Sequence, residues 1–432
     1  GFFRYAQEMV PTRNDSLNNQ THTIHYYWSL SNGRITSFFD ELAIPFAERA
    51  FKYDDVDNRA ILHALASVRY YLTENPNSYV PYPFSNTQAY EYLGDSYYVS
   101  ESSCTLPLGY TYDSYITKEQ YDSMTYIQRQ QALAQGLVCE TVPAGFTPAE
   151  VSFQDTSLPY ECVCGDGILE QDGRYYVSGS QSEMTLNFSA PAGCETYLLI
   201  KGMKAESVST LDLYTTEPFC LLSGFDWNSL SRYEQNRIRE EDRFSTKISR
   251  FTLNCSSDYA DTDFSYYAGL TESSFDRSDY LINLGYSETG QTQAVLTFPY
   301  AGIYSFDSLE IIALPVGPFS GQIQELGQEA LQNTVLGTNQ VAGTISVSEQ
   351  KLLCLSIPWS EGWTAYVDGQ ETELFPANTM YMGLALEAGE HTIELTYCTP
   401  GLKAGLCISA AALACWLVIF LADRKRRKKS LL

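Results

Sequence analysis

Between Ala404 and Ala422 the chain carries no charge, and Ser409 is the one polar interruption. Nineteen residues rising about 1.5 Å each cover roughly 28 Å, close to the hydrocarbon thickness of a bilayer, so the pattern predicts a membrane-spanning helix over 401–423. A buried core helix of this length would show a polar stripe, and this segment has none. Asp423 and the unbroken run Arg424, Lys425, Arg426, Arg427, Lys428, Lys429 follow. A basic cluster beside a span orients that end toward the cytoplasm, so 424–432 is expected inside and the bulk of the chain outside.

Upstream, the spacing of apolar positions changes twice. Over 1–149 helical and alternating stretches mix. Asp57 is placed to cap a helix over Asn58–Ser67, with Ile61, Leu62 and Leu65 on one side, and the strand-like Val68–Leu72 follows. Gly109–Tyr112 reads as a short strand. Thr117-Lys118-Glu119-Gln120 reads as a capping box opening a helix through Gln135, with Tyr121, Met124, Ile127 and Leu133 inward and Gly136 as the stop.

From 150 to 320 alternation dominates. Met184–Ser189, Tyr197–Lys201, Ser245–Leu253, Tyr280–Leu284, Gln293–Phe298 and Leu309–Leu314 read as strands, with a surface helix over Trp227–Arg239. Over 321–400 a linker helix, Ile323–Gln332, leads to strands Gly343–Val347, Lys351–Ile357, Trp363–Val367, Gly383–Leu386 and His391–Tyr397. Asp368-Gly369 supplies the pair that a type I′ hairpin turn favours. The predicted architecture is an α+β N-terminal domain, then two mainly antiparallel β-sandwich, jelly-roll-like domains, then one C-terminal transmembrane helix.

Composition sharpens this in three ways. With the six tail cations and Asp423 set aside, 21 Lys+Arg face 51 Asp+Glu, a net of about −30 that argues against a nucleic-acid partner. Nine cysteines lie outside the span, an odd number that cannot all pair within the chain. Cys162-Val163-Cys164 is too tight for a zinc knuckle, and the four histidines are scattered, so no Cys/His metal site is expected. Finally, Gly1-Phe2-Phe3-Arg4 has neither an initiator Met nor a leader pattern, so a signal peptide or further spans are expected upstream.

Candidate chemistry is sparse. His25, Tyr26, Tyr27 and Trp28 form the densest polar and aromatic cluster, suited to saccharide contact or to packing within a strand. Trp359 and Trp363 flank a Ser-Glu-Gly turn and suit sugar stacking, a headgroup anchor or a small core. Asp258, Asp261 and Asp263 have a spacing that lets a loop hold calcium, but no glycine and glutamate follow at EF-hand spacing. No Ser-His-Asp order, phosphate loop or dinucleotide glycine pattern occurs in the required context, and no catalytic residue is assigned.

Several segments together carry a resemblance. Ile357-Pro358-Trp359-Ser360-Glu361-Gly362-Trp363 through Val367-Asp368-Gly369, Leu386-Glu387-Ala388-Gly389-Glu390-His391 and Tyr397 to Leu402 resemble the C-terminal end of the YfhO family of multi-spanning bacterial membrane proteins. Asn14-Asp15-Ser16-Leu17, Tyr27 to Asn32, Ala66-Ser67-Val68-Arg69-Tyr70-Tyr71, Leu106 to Tyr110, Tyr112 to Tyr115, Asn283-Leu284-Gly285-Tyr286 and Ala301-Gly302-Ile303-Tyr304 match in order. The resemblance implies a membrane glycosyltransferase of the bacterial cell membrane that moves a sugar from an undecaprenyl-phosphate carrier to a cell-envelope polymer such as teichoic acid. In such enzymes the catalytic loop lies upstream, between spans, so this chain would have no cofactor of its own. Its partners would be the bilayer, the upstream transmembrane region and a cell-wall glycopolymer. The alternative is a non-catalytic, membrane-anchored carbohydrate or cell-wall binding protein.

Overall fold

A computed structural model describes residues 1–8, 14, 16–17, 20–45, 51–92, 94–244, 247–269 and 277–429. Asp15, Ser245 and Thr246, which fall in segments singled out above, lie outside the described residues, as do 430–432. The chain is sheet-rich, and most pairings are antiparallel.

Near the N-terminus, Arg4–Gln7 pairs in parallel with Val68–Thr73, and the hairpin Phe84–Tyr92 and Asp95–Ser102 completes a four-stranded sheet. The helix feeding Val68–Thr73 is short, Ala60–Leu65, and every one of its side chains is buried. Asp57 does not cap it. Its φ is 64°, the N-cap position belongs to Arg59, and the first free amide, Ala60 N, donates instead to Glu195 Oε1 at 3.1 Å. Asp57 turns inward because its Oδ2 accepts from Arg59 Nε at 3.3 Å and from Asn283 N at 2.7 Å.

Thr117 caps as the pattern predicts, its side chain accepting from Gln120 N, but the helix stops at Asp122. Ser123 Oγ donates to Gln120 O at 2.6 Å, and Thr125 opens a second helix, Tyr126–Ala132, with its own capping box. Serine and threonine here offer the backbone local alternatives to a continuous helix. Tyr121, Met124, Ile127 and Leu133 are all buried.

The middle strands appear within a few residues of their expected places: Ser182–Phe188, Cys194–Lys201, Arg250–Ser256, Tyr280–Ser287, Gln293–Phe298 and Ser308–Pro315. Phe251, Leu253, Leu296 and Phe298 from one sheet meet Tyr304, on the strand Gly302–Ser305 of another, in one apolar cluster. Between them the single helix expected over Trp227–Arg239 is replaced by a group: Thr210–Thr215, Glu217–Ser223, a 3-10 turn at Trp227–Ser229, and Arg232–Phe244. The linker helix lies upstream of its expected place, at Gly317–Leu326, since Pro318 favours a first turn and Gly327 closes the end.

The strands of 332–397 divide between two sheets. Gln332–Gly337, Gln340–Val347, Gly389–Tyr397, Trp363–Val367 and Gln370–Thr372 form one. Its hairpin turn has Asp368 at φ 53° and Gly369 at φ 79°, the two left-handed positions of a type I′ turn, with Val367 paired to Gln370. Lys351–Leu355, Phe375–Ala377 and Tyr381–Leu386 instead join Gly109–Tyr112, Ser114–Thr117, Leu137–Cys139 and Thr147–Pro148 in a seven-stranded sheet, with Leu352 opposite Tyr112 and Leu355 opposite Gly109. One core follows from this pairing, in which Leu42, Tyr112, Leu199, Leu314 and Leu352 all take part. Among the described residues every cysteine is free, and Cys104, Cys139, Cys194, Cys255 and Cys354 are buried as small apolar residues.

The chain ends in the helix Leu402–Lys429. Within it Leu402–Arg427 is long and apolar enough to cross a membrane, and none of its side chains is buried.

Candidate functional site

An open cleft of about 1070 Å³ lies where the sheets meet the foot of the apolar helix. Pro400, two residues before that helix starts, is part of its wall. Stretches far apart in sequence build it, from Leu30 to Pro400.

The helix Gly33–Glu41 supplies one side. Asn32 caps it by accepting from Arg34 N at 3.0 Å, and the same side chain donates through Nδ2 to the Trp359 carbonyl at 2.5 Å. Phe38 and Phe39 enter the core. The opposite stripe, Arg34, Ser37 and Glu41 at helical spacing, faces the cleft.

Arg34 is held at every edge. Its Nη1 and Nη2 donate to the two Glu140 carboxylate oxygens at 2.6 and 3.3 Å, and Nη1 also reaches Thr379 O at 3.1 Å. Its guanidinium lies 4.7 Å from the centre of the Trp359 ring. Lys118 sits between Glu41 at 2.9 Å and Asp122 at 2.5 Å. Partial burial pulls the Lys118 ammonium down, but these two carboxylates outweigh it and hold its pKa above the ordinary lysine value. Thr379 Oγ1 donates to Glu41 Oε2 at 2.5 Å, which ties the two ion pairs together through one loop.

The aromatic wall comes from the turn after Lys351–Leu355. Trp359 N donates to Met380 O at 2.8 Å, and Trp363 packs on Tyr397 with ring centres 5.2 Å apart. Gly362 makes this packing possible. A Cβ there would stand 2.7 Å from the Cys398 carbonyl oxygen and run into the Tyr397 ring. Cations fixed by carboxylates beside tryptophan and tyrosine faces suit a ligand with hydroxyl edges and flat apolar faces. Among the described residues that line it, none is a histidine or cysteine.

Trp359 and Trp363 are both half-buried and both line this cleft. The His25–Trp28 cluster is divided by its backbone. His25 is fully buried, with Nδ1 2.5 Å from Thr23 Oγ1, and Tyr26 stacks on Tyr53 at 5.1 Å. Tyr27 and Trp28 face solvent, Trp28 with 57% of its surface exposed. Asp258, Asp261 and Asp263 are exposed, and Asn254 Nδ2 donates to both Asp261 Oδ1 and Asp263 Oδ1 at 2.5 and 2.9 Å. Among the described residues no group of three His, Cys, Asp or Glu is arranged to hold a metal ion. Of the tail, Arg424, Lys425, Arg426 and Arg427 continue the helix, and Arg427 pairs with Asp423 at 2.8 Å; the side chains of Lys428 and Lys429 lie outside the described residues. Arg34, Glu41 and Glu140 carry no sequence signal beyond the Asn32 cap and the 34, 37, 41 spacing, and Lys118 only its place after the Thr117 cap.

Comparison with known proteins gives a family. Residues 1–409 match the family described as "Bacterial membrane protein YfhO". The uncharacterized protein YfhO of Bacillus subtilis (strain 168) is 23% identical over 418 residues, which cover 93% of this chain and 40% of that protein. The chain therefore spans less than half the length of that relative. Among solved structures, arabinofuranosyltransferase AftD from Mycobacteria aligns at 18% identity over 38% of this chain and 13% of its own, with a TM-score of 0.17. A cycloisomaltooligosaccharide glucanotransferase from Paenibacillus aligns at 8% identity over 62% of this chain and 49% of its own, with a TM-score of 0.16. Scores this low carry no inference about fold or activity.

Proposed function

The chain belongs to the YfhO family of bacterial membrane proteins, and from that premise we propose that it is the extracytoplasmic, sheet-rich part of a membrane glycosyltransferase. The whole protein would move a sugar from an undecaprenyl-phosphate carrier to a cell-envelope polymer such as teichoic acid. The catalytic loop would lie outside this chain, and the tail Arg424–Lys429 would sit in the cytoplasm.

The cleft at the foot of the span is the observation that supports this reading. A lipid-linked sugar presents its reactive carbon near the headgroup layer, and an acceptor polymer must be held at that depth. Trp359, Trp363 and Tyr397 offer stacking faces there, while Arg34 and Lys118 are held in place by Glu140, Glu41 and Asp122. The task of this chain is then positioning, with the middle sheets as a jelly-roll-like support, since effective concentration alone supplies much of a transfer reaction's rate.

Deleting the gene and analysing the wall polymers tests the reading. Loss of one sugar substituent, restored by the wild-type gene and poorly by Trp359→Ala, is expected. Wall polymers unchanged by the deletion would overturn it in favour of a non-catalytic binding protein. Full restoration by Trp359→Ala would remove the cleft from the mechanism.

A further inference from the structure

A second, more enclosed cavity of about 140 Å³ lies between the N-terminal sheet and the middle sheets and shares no lining residue with the cleft. Glu8 and Asp261 at its wall are solvent-exposed. Its lining includes several carboxylates and, among the described residues, no lysine or arginine, so a phosphate or other anion is disfavoured.

Those carboxylates have partners already. Asp55 pairs with His63 at 2.9 Å, Asp57 with Arg59 and the Asn283 amide, and Glu195 with the Ala60 amide and the Tyr197 hydroxyl. Glu8 accepts from Ser78 at 2.8 Å and Asp261 from Asn254. What remains unmatched is different in kind. Gln7 Nε2, a donor, and Asn58 Oδ1, an acceptor, are buried in this wall without a partner. Buried polar atoms are paired in the great majority of cases, so two orphans on one cavity point to something that fills it.

The pair also states what that something is. A hydroxyl can accept from a donor such as Gln7 and donate to an acceptor such as Asn58, whereas an ammonium only donates and a fully ionised phosphate only accepts. Tyr71, Tyr79, Tyr82 and Tyr286 line the same space, Tyr82 packed on Tyr286 with ring centres 4.7 Å apart, so part of the wall is aromatic and suits C–H surfaces. Asp57 and Asn58 hold left-handed φ values of 64° and 50°, a conformation that side chains adopt at a cost and that recurs at ligand clamps.

We propose that this cavity is a subsite for one uncharged, hydroxyl-bearing sugar ring of a glycan. The proposal rests on the glycan-handling function argued above and gives it a second, sheet-bound contact away from the membrane.

The test uses the chain in lipid nanodiscs, because sugar-headed detergents would compete. Glucose, galactose and N-acetylglucosamine are titrated in turn by calorimetry, with glucose 6-phosphate as the charged comparison. At least one neutral sugar should bind and the phosphate should not. Gln7→Leu and Asn58→Gly, the latter suited to the left-handed backbone, should each weaken binding by about tenfold or more with melting temperature unchanged. The wild-type titration is decisive by itself if either variant melts early: binding of no neutral sugar means a water-filled cavity and overturns the proposal. Binding that survives both substitutions in folded variants overturns it as well. Sugar binding in a protein whose deletion leaves wall polymers unchanged would keep this subsite and discard the glycosyltransferase reading; the reverse pattern would keep that reading and discard the subsite.

Discussion

Two arginines use the same chemistry in opposite surroundings. Arg59 is fully buried at the junction of the N-terminal region and the middle sheets. It reaches Asp57, the Leu42 carbonyl at 2.9 Å, the Leu281 carbonyl at 2.5 Å and the Tyr197 ring. Arg34, with a quarter of its side chain exposed, holds Glu140 and a tryptophan face at an open cleft. A charge sealed in a protein interior must be paired or the fold suffers, whereas an ion pair at a wet surface contributes little to stability. The difference separates a joint that holds regions together from a surface available to a ligand.

The largest expected effect tests the joint. Arg59→Leu leaves Asp57 buried without its cation and two carbonyls without a donor, a change of about 3–5 kcal/mol in unfolding free energy. Chemical denaturation measures it, and a loss under about 1 kcal/mol would show that the joint is not structural.

Acidity provides the next test. Burial pushes the Asp57 carboxyl up to about 7, with Arg59 pulling the other way, and burial raises Glu195 too. In the unfolded chain Asp57 loses its proton near pH 4, so between pH 4 and 7 the folded state binds more protons than the unfolded one. Stability from this group is complete below the unfolded value and declines as pH rises toward 7, by at most about 1.4 kcal/mol per pH unit. Asp57→Asn should flatten that part of the profile; an unchanged slope would assign the proton elsewhere. Asp55 acts in the opposite sense. Although burial raises it, His63 and two backbone amides hold it below the ordinary carboxylate range, so its contribution is lost on acidification below pH 4.

At the cleft, Gly362→Ala should cost about 1–3 kcal/mol by displacing the Tyr397 ring and the Cys398 backbone. A variant as stable as the wild type would mean that the turn has room to shift. The smallest stability effect is expected for Glu140→Gln, under about 1 kcal/mol, since Glu140 is largely exposed. If it destabilises as strongly as Arg59→Leu, the contrast between joint and cleft fails.

What could be read in advance depended on range. Thr117 as a cap, Asp368-Gly369 as a tight turn, and the strand Gln293–Phe298 are set by neighbours a few residues away, and the structure has them in place. Asp57 fits a cap by every local rule, yet Glu195, 135 residues beyond Ala60, takes the Ala60 amide because the folded chain brings a better-placed carboxylate. Trp359 and Trp363 stood out by residue type. Arg34 and Glu140 did not, because a single charged residue on a helix or after a strand is ordinary until its partner is known.

By itself the sequence determined the apolar segment 401–423, the places of most strands and the family to which the chain belongs, since periodicity, turn residues and motif order are properties of the linear chain; that the helix runs on to Lys429 came from the structure. Only the tertiary structure decided that Lys351–Leu355 lies against Gly109–Tyr112, that Arg59 is sealed against Asp57, and that Arg34 packs on Trp359 at the wall of a cleft. Backbone hydrogen bonds are alike along every strand, so the choice of a distant partner rests on which apolar faces bury together, and that is settled when the whole core closes.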